Sequence, residues 1–122
     1  MSPEVILRDY WTALEQRNWE RAESFLAPDL VIEQPDSGRV FRGRDAFMTF
    51  NSAYPGEWHL AVVRTIANER EVAVEVAAIN NGVLEACLGF YTLQEDRIAH
   101  GTEWWMTLPN SNEVAESPLK HD

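Results

Sequence analysis

EVAVEVAAINNGVLEACLGFYTL, residues 71–93, carries the clearest structural pattern in this sequence. β-branched and aromatic residues fill both halves of the segment, and the Asn80-Asn81-Gly82 string between them is typical of a β-hairpin turn. Similar strand patterns lie on either side, at residues 58–67 and 97–108, and the turn-like strings NERE and QED separate them from it. Together these segments predict a meander of four long antiparallel strands.

The N-terminus has the pattern of a helix. Ser2 offers a capping hydroxyl and Pro3 suits the first helical position, so a helix is predicted from there to about Arg17. Apolar residues recur at helical spacing within it. This periodicity places Tyr10 on the buried side of the helix.

Two more helices and two short strands are predicted before the meander. Asn18 can cap a second helix that is ended by Pro28, and Gly43 opens a third that is stopped by Pro55. Between them, residues 30–34 and 39–41 have strand character. Helices followed by a meander predict an α+β fold, with three N-terminal helices packed on a curved antiparallel sheet and a cavity between the two layers.

Length and composition limit the classes of function. A chain of 122 residues is the size of one domain, which we expect to span residues 1–109, with residues 110–122 as a polar, mobile tail. The net charge of −10 disfavours nucleic acid and anionic membranes as partners. Cys87, the only cysteine, cannot form an intrachain disulfide. With no apolar run of roughly 18 residues and no signal-peptide pattern, a soluble cytoplasmic protein is expected.

Four strings resemble the NTF2-like superfamily, whose cone-shaped fold is shared by nuclear transport factor 2, ketosteroid isomerase, SnoaL-type polyketide cyclases and scytalone dehydratase. They are DYWTALEQRNWERAESFLAPDLVIEQP, FRGRDAFMTF, TIANEREVAVEV and DRIAHGTEWW, which together cover about residues 5–107. The resemblance implies the cone-shaped fold and a pocket between helices and sheet. It does not specify the function, since proteins of this fold differ widely in activity.

Ketosteroid isomerase offers the most direct comparison within this superfamily. The resemblance implies that Tyr10 occupies the position of a tyrosine that donates to the substrate oxyanion. Gln34, just before Pro35, falls where the isomerase has its aspartate base, and Gly89 falls where it has a second, protonated aspartate donor. An amide has no useful proton affinity near neutral pH. The isomerase proton shuttle is therefore not expected here.

The length of the hairpin turn determines which side chains share a face of the sheet. A two-residue Asn81-Gly82 turn pairs Asn80 with Val83, whereas a three-residue turn separates apolar from other residues more cleanly. The resemblance favours the shorter turn and makes its shared face concave. That face then carries Val72, Val74, Val76, Ala78, Glu85, Cys87, Gly89 and Tyr91, together with Gly101, Glu103 and Trp105 of the last strand.

Glu103 is the main candidate for chemistry. A carboxylate among aromatic and aliphatic side chains is desolvated, which raises its pKa toward the range useful for acid–base catalysis. In the functional interpretation Glu103 transfers a proton and Tyr10 stabilises an oxyanion. In the alternative, Glu103 accepts hydrogen bonds from Tyr10, Gln34 or an arginine and only satisfies a polar patch.

Further residues are predicted to contact a ligand in this cavity. They are Gln34, Phe50, His59, Val74, Cys87, Tyr91 and Trp105. Two of them have simpler interpretations, His59 as a surface residue and Cys87 as a small packing residue without a histidine to activate it. No clustered metal-ligand pattern or phosphate-binding loop is present, so no metal or other cofactor is expected.

The opposite, convex face of the predicted sheet is apolar, with Leu88, Phe90, Trp104 and Met106 among its residues. Such a surface favours a homodimer formed sheet against sheet, as the resemblance also implies. Glu75 on this face needs a partner such as Arg64 or Thr102. The predicted function is that of a SnoaL-like small-molecule pocket protein. It is either a cofactor-independent isomerase, cyclase, dehydratase or hydrolase acting on a small apolar substrate, or a binding or dimerisation module without chemistry.

Overall fold

The structure is a computed structural model that describes residues 1–109. The predicted tail, residues 110–122, lies outside the described residues. The elements in chain order are α1 (Pro3–Glu15), α2 (Trp19–Ser24), β1 (Leu26–Gln34), β2 (Arg39–Arg42), α3 (Arg44–Ser52), β3 (Trp58–Ala67), β4 (Glu71–Asn80), β5 (Val83–Gln94) and β6 (Arg97–Thr107). This is an α+β arrangement, as predicted.

Helix α1 begins as its sequence predicts. The Ser2 side chain accepts a hydrogen bond from the backbone N–H of Val5 at 3.3 Å, and Pro3 occupies the first helical position. The buried residues of the helix are Ile6, Leu7, Tyr10, Trp11, Ala13 and Leu14. This stripe packs on β3 and β4 and forms one wall of the core.

Helix α2 is shorter than the sequence suggested. It has only six residues and ends at Ser24, so Leu26 begins β1 instead of completing a helical face. Pro28 disfavours helical backbone just before it, and the carbonyl of Phe25 accepts a hydrogen bond from the N–H of Ile98 at 2.8 Å. The chain is therefore drawn into the sheet earlier than a helix ending at Pro28 would allow.

The six strands form one sheet in the order β2-β1-β6-β5-β4-β3. Strands β3 to β6 are the predicted antiparallel meander. The expectation of a wholly antiparallel sheet is corrected at one pair, because β1 lies parallel to β6. Two strands so far apart in sequence are not constrained by a hairpin, and helices between them allow a parallel pairing.

The hairpin between β4 and β5 has the two-residue turn. Asn80 pairs with Val83, and both turn residues have positive φ, 50° at Asn81 and 83° at Gly82. This backbone matches the type I′ turn that suits the twist of hairpin strands. Glu75 on the outer face is bonded to Arg64, with Nε and Oε1 2.7 Å apart, as the sequence predicted.

The sheet is curved but does not close into a barrel. Its pairings shift register between Val62 and Arg64 on β3 and between Thr92 and Leu93 on β5, and such irregularities bend strands. Helix α1 covers β3 and β4, while α3 packs on β1 and β2. The space between these two helices and the sheet contains the candidate site.

Candidate functional site

Glu103 lies at the centre of the concave face. It pairs in register with Gly89 on β5, and it is only 1% exposed. Its Oε1 accepts a hydrogen bond from Nε2 of Gln34 at 3.1 Å, and its Oε2 accepts one from the hydroxyl of Tyr91 at 2.6 Å. No cationic side chain within residues 1–109 forms an ion pair with it. The carboxyl group is thus held by two neutral donors.

Burial is the main influence on the acidity of Glu103. It raises the pKa of the carboxyl group because desolvation disfavours the charged form. The side chains of Tyr91, Gln34 and Trp105 lower the pKa by favouring the ionised form, but they do not cancel the rise. A raised pKa makes the ionised form of a carboxyl group a better proton acceptor than an ordinary carboxylate.

The Tyr91 ring lies on the concave face of the sheet, and its hydroxyl group positions Glu103 through the hydrogen bond to Oε2. Its ring occupies the space above Gly89 and Gly101, where an added Cβ would lie 2.6 Å from Tyr91 Cζ and 2.6 Å from Tyr91 Cδ1, respectively. The two glycines therefore make room for the ring. At Gly89, the position that the isomerase comparison assigns to an acidic donor, Tyr91 fills the corresponding space.

A cavity of about 130 Å³ opens beside Glu103, between the sheet and helices α1 and α3. Its lining is mostly apolar and aromatic, with polar groups at a few points. The lining residues are Tyr10, Trp11, Leu14, Gln34, Asp36, Ser37, Arg39, Phe47, Phe50, Asn51, Tyr54, Trp58, Leu60, Ala78, Glu85, Glu103 and Trp105. A volume of this size suits a molecule no larger than about one six-membered ring, since a cavity of roughly 150 Å³ holds benzene.

Tyr10 lies in the wall of this cavity and is 1% exposed. Burial, and then the proximity of Glu103, raises the pKa of its hydroxyl group well above the ordinary value, so it remains a neutral donor. The Asn51 side chain lies close enough to oppose this rise in pKa. Even so, neither the Tyr10 hydroxyl nor Asn51 Nδ2 has a hydrogen-bond partner of normal geometry within residues 1–109.

Five of the sequence-predicted site residues meet in the cavity. They are Tyr10, Gln34, Phe50, Glu103 and Trp105. The structure does not bring Tyr10 and Glu103 into direct hydrogen-bond contact, because the carboxyl oxygens are taken by Gln34 and Tyr91. Both side chains belong to the wall of the cavity.

The other four predicted residues do not line the cavity. Val74 and Cys87 are buried in the core beneath it, and Tyr91 lies behind Glu103. Burial raises the pKa of the Cys87 thiol, which keeps it protonated. His59 is mostly exposed on β3, and its Nδ1 lies 2.9 Å from Oε2 of Glu15 at the end of α1. Its side chain is held by that carboxylate outside the cavity.

Sequence reasoning did not identify Trp11 or Asn51 as site residues. Helical periodicity made Tyr10 the inward residue, but α1 is covered on two sides, so its neighbour Trp11 also faces the cavity. Asn51 follows Phe50 near the end of α3, where a polar residue is expected to face solvent. A wider apolar stripe on α1 was the only available signal for Trp11, and none pointed to Asn51.

The part of the chain that the structure describes contains no helix long and apolar enough to cross a membrane. Within the same residues, no three His, Cys, Asp or Glu side chains come together in an arrangement that could hold a metal ion.

The family model of the SnoaL-like domain matches residues 7–101, which include most of α1, all of α2 and α3, and the sheet as far as the first half of β6. The chain belongs to the SnoaL-like domain family. This assignment agrees with the superfamily that the sequence strings resemble. No curated protein sequence matches the chain.

Several solved structures share the SnoaL-like fold of this chain. A candidate ketosteroid isomerase from Kribbella flavida is 26% identical, with a TM-score of 0.81 over 93% of this chain and 87% of that one. An LEH-like epoxide hydrolase from M. tuberculosis is 19% identical, with a TM-score of 0.71 over 83% and 80%. A candidate polyketide cyclase from Sinorhizobium meliloti is 19% identical, with a TM-score of 0.72 over 80% and 92%. The last two likenesses concern the fold alone.

Proposed function

We propose that this SnoaL-like protein binds a small, neutral, largely apolar molecule in the cavity and transfers a proton on it through Glu103, without a cofactor. The observation that carries the proposal is a fully buried carboxyl group with a raised pKa, bonded only to neutral donors, in the wall of a cavity lined mostly by apolar and aromatic residues. Buried, perturbed acids in clefts are typical of acid–base sites.

The proposed step is a proton transfer next to a carbonyl group. The Glu103 carboxylate takes a proton from the carbon that lies between a carbonyl group and a C=C bond. The electron pair of that C–H bond forms a new C=C bond to the carbonyl carbon, and the π pair of the carbonyl group moves to its oxygen, which gives a dienolate. The Tyr10 hydroxyl donates a hydrogen bond to the resulting oxyanion. The protonated Glu103 then returns the proton to a different carbon, which gives an isomer. The similar protein from Kribbella flavida, a candidate ketosteroid isomerase, is named for a reaction of this class.

Gln34 supports this role for Glu103. Its amide now donates to the carboxylate, and after rotation its carbonyl oxygen can accept a hydrogen bond from the protonated acid. An acidic residue at this position would place a second carboxylate near Glu103 and couple the two titrations. A glutamine therefore serves one buried acid in both of its protonation states.

Titration of Glu103 tests the proposal most directly. The side-chain carboxyl signal of Glu103, identified by its loss in Glu103→Gln, can be followed by ¹³C NMR across the acidic and neutral range. We expect a pKa above the ordinary value of about 4.3. The matched control is Glu33 on the outer side of β1. A Glu103 pKa at or below the ordinary value would remove the catalytic case.

Turnover can be examined with cyclohex-3-enone, a one-ring ketone that becomes cyclohex-2-enone by the proposed step. Replacing Glu103 with Gln should lower the rate by about 10²- to 10⁴-fold, the usual contribution of a general base. Glu33→Gln serves as the control and should leave the rate unchanged. Equal rates for the two variants would contradict the assignment of Glu103 as the base.

A second candidate function is ligand binding without chemistry. Gln34 and Gly89 occupy the positions at which the isomerase comparison expects acids, and both replacements favour this alternative. Glu103 would then only complete the hydrogen bonding of Gln34 and Tyr91. Ligand binding that persists in Glu103→Gln while turnover is lost supports the enzyme. A change in stability alone supports the binding module.

We also propose that a second copy of the chain covers the convex face. Several large apolar side chains are exposed there, namely Ile66, Leu84, Leu88, Phe90, Trp104 and Met106. An apolar surface of this kind favours self-association over exposure to water. Sedimentation of a monomer at micromolar concentration would contradict this part of the proposal.

A further inference from the structure

Two side chains bind the end of helix α1 to the start of strand β3. Glu15 Oε1 accepts a hydrogen bond from the N–H of Leu60 at 2.8 Å, and Arg17 Nη2 donates one to the carbonyl of Trp58. Strand β3 is the last strand of the sheet on this side and is paired with β4. The two side chains therefore satisfy backbone groups on its free edge that a further strand would otherwise pair.

Arg17 occupies a backbone position at which glycine is usual. It directly follows Gln16, the C-cap of α1, and has a φ of 58°. Glycine is common at this point of a helix because a Cβ is unfavourable in the left-handed conformation. The Arg17 side chain donates from Nη1 to the carbonyls of Leu14 and Glu15, at 3.3 Å and 2.9 Å. An arginine here is thus explained by its side chain and not by its backbone.

The guanidinium group of Arg17 also lies against the ring of Trp58, with Cζ 3.3 Å from the ring centroid. A cation over an indole face is attracted to it. The indole Nε1 donates to the carbonyl of Tyr54 at 3.3 Å, and the ring of Trp19 lies 6.3 Å away. Trp58 is only half-buried, and it lines the cavity. A part of the cavity wall is therefore held by the end of α1.

From these contacts we infer that Arg17 is a positioning residue that limits the size of the ligand, because it holds the Trp58 ring in the cavity wall. With the ring in place the cavity admits a molecule of about one six-membered ring. Once the ring turns away, the space that it fills joins the cavity. The inference rests on the proposed function for the presence of a small ligand, but it does not require proton transfer.

The test compares the affinities of cyclohexanone and of 2-decalone, a ketone with two fused rings, measured by ligand-observed NMR. The wild-type protein should bind cyclohexanone at least about tenfold more tightly, since a closed pocket rejects added carbon atoms. In Arg17→Gly this ratio should fall by at least about threefold, because the Trp58 ring loses the attraction of the guanidinium group. Both probes are neutral, so the loss of one charge from the protein cancels in the ratio.

Arg17→Gly also separates a positioning role from a structural one. Glycine suits the left-handed backbone, so the variant should fold and unfold in urea close to the wild-type midpoint. Arg17→Met and Arg21→Met form a matched pair. Arg21 also lies over a ring, 5.3 Å from the centroid of Phe25, but it is not a cavity residue. Only the change at Arg17 should alter the ratio.

A double variant shows whether Arg17 acts through Trp58. Trp58→Ala should lower the ratio at least as much as Arg17→Gly, and the two changes together should lower it no further than Trp58→Ala alone. A further fall in the double variant would mean that Arg17 acts by another route and would overturn the inference.

Motion of the Trp58 ring gives a measurement that needs no ligand. The indole N–H signal of Trp58 is identified by its loss in Trp58→Ala, and its order parameter is obtained from ¹⁵N relaxation. The order parameter should fall in Arg17→Gly and remain at the wild-type value in Arg21→Met. An unchanged value in Arg17→Gly would contradict the positioning role.

The outcomes also separate this inference from the proposed reaction. Equal affinity of the wild type for the two ketones, binding of neither, or an unchanged ratio in Arg17→Gly would overturn the inference. Glu103→Gln should keep the wild-type ratio although it loses turnover. Size selection in a protein with no turnover leaves the inference standing and rejects the chemistry. Turnover of cyclohex-3-enone in a protein that does not distinguish the two ketones rejects the inference alone.

Discussion

The two faces of strands β5 and β6 differ in a way that reverses the usual rule of burial. On the concave face Glu103, a carboxylic acid, is 1% exposed, whereas its neighbour Trp104 on the convex face is 41% exposed. Phe90 on the convex side of β5 is 52% exposed. Strand alternation alone places these residues on opposite faces. The buried acid is the basis of the proposed site, and the exposed aromatic rings are the basis of the proposed dimer.

The two faces also differ in how closely their side chains are packed and hydrogen-bonded. On the concave side the ring of Tyr91 fits over two glycines and donates to Glu103, so its shape and its polar atom are both used. On the convex side the large apolar groups have no such partners within residues 1–109. Substitutions on the concave face should therefore cost much more stability than those on the convex face.

The largest loss of stability is expected for Gly101→Ala. The added Cβ would lie 2.6 Å from Tyr91 Cδ1 and 2.7 Å from Ile32 Cδ1, and we expect the free energy of unfolding to fall by about 3 kcal/mol. Urea denaturation measures this change. Combining it with Tyr91→Leu, which removes the ring, should cost less than the sum of the two single losses. Additive losses would mean that the ring does not set the requirement for glycine.

A smaller loss is expected for Tyr91→Phe. It removes the donor to Glu103 Oε2 and leaves the ring in place, which should lower the free energy of unfolding by about 2 kcal/mol at neutral pH. The pKa of Glu103 should also rise further, since this donor favours the ionised form. Tyr54→Phe is the comparison. A similar small effect for both tyrosines would show that the buried hydrogen bond contributes little.

The pH dependence of stability should change in Glu103→Gln. Because the pKa of Glu103 is higher in the folded protein, the folded state binds more protons between the ordinary value and the raised one. The contribution of Glu103 to the free energy of unfolding of the wild type is therefore fully present below about pH 4.3. It declines as the pH rises through the pKa of Glu103 in the folded protein, by at most about 1.4 kcal/mol per pH unit. The variant should lack this decline.

Thermal or urea unfolding across this pH range measures the difference between the wild type and Glu103→Gln. The Glu33→Gln variant is the control for removing one acid from the outer face. Parallel curves for the wild type and Glu103→Gln would contradict the raised pKa.

The smallest effect on the fold is expected for Phe90→Ser. Its exposed ring makes little contribution within the protomer, so the free energy of unfolding of the monomer should change by no more than about 0.5 kcal/mol. The same change should weaken the proposed dimer, as sedimentation at several concentrations would show. A large loss of monomer stability, with association unchanged, would mean that the convex face belongs to the core.

Much of the candidate site was predictable because side chains alternate between the two faces along a strand. The length of the hairpin turn therefore fixes which residues of its two strands face inward. Once Asn81-Gly82 is taken as a two-residue turn, Gly89 and Tyr91 share one face, and the family resemblance adds Glu103. Turn chemistry does not reveal which of these residues border open space. Cys87 and Val74 face inward as predicted, yet other side chains cover them.

Interactions between distant elements were beyond the sequence pattern. His59 lies on the strand next to the cavity, but the end of α1 places Glu15 beside it and holds its ring outside. Asn51 lies near a helix end, where polar residues are common, and only the packing of α1 places Tyr10 close to it. In both cases the partner is more than 40 residues away along the chain, so no local signal records the contact.

The sequence by itself determined the elements and their faces, because capping residues, turn residues and periodicity act over a few neighbouring positions. It therefore predicted the capped first helix, the four-strand meander and the inward direction of Tyr10, while the family resemblance favoured the two-residue hairpin turn and the inward direction of Glu103. Only the tertiary structure decided that β1 pairs in parallel with β6, that Gln34 and Tyr91 take the oxygens of Glu103, and that Trp11 and Asn51 border the cavity. These features depend on which distant surfaces pack together, and that choice is set by the energy of the whole core.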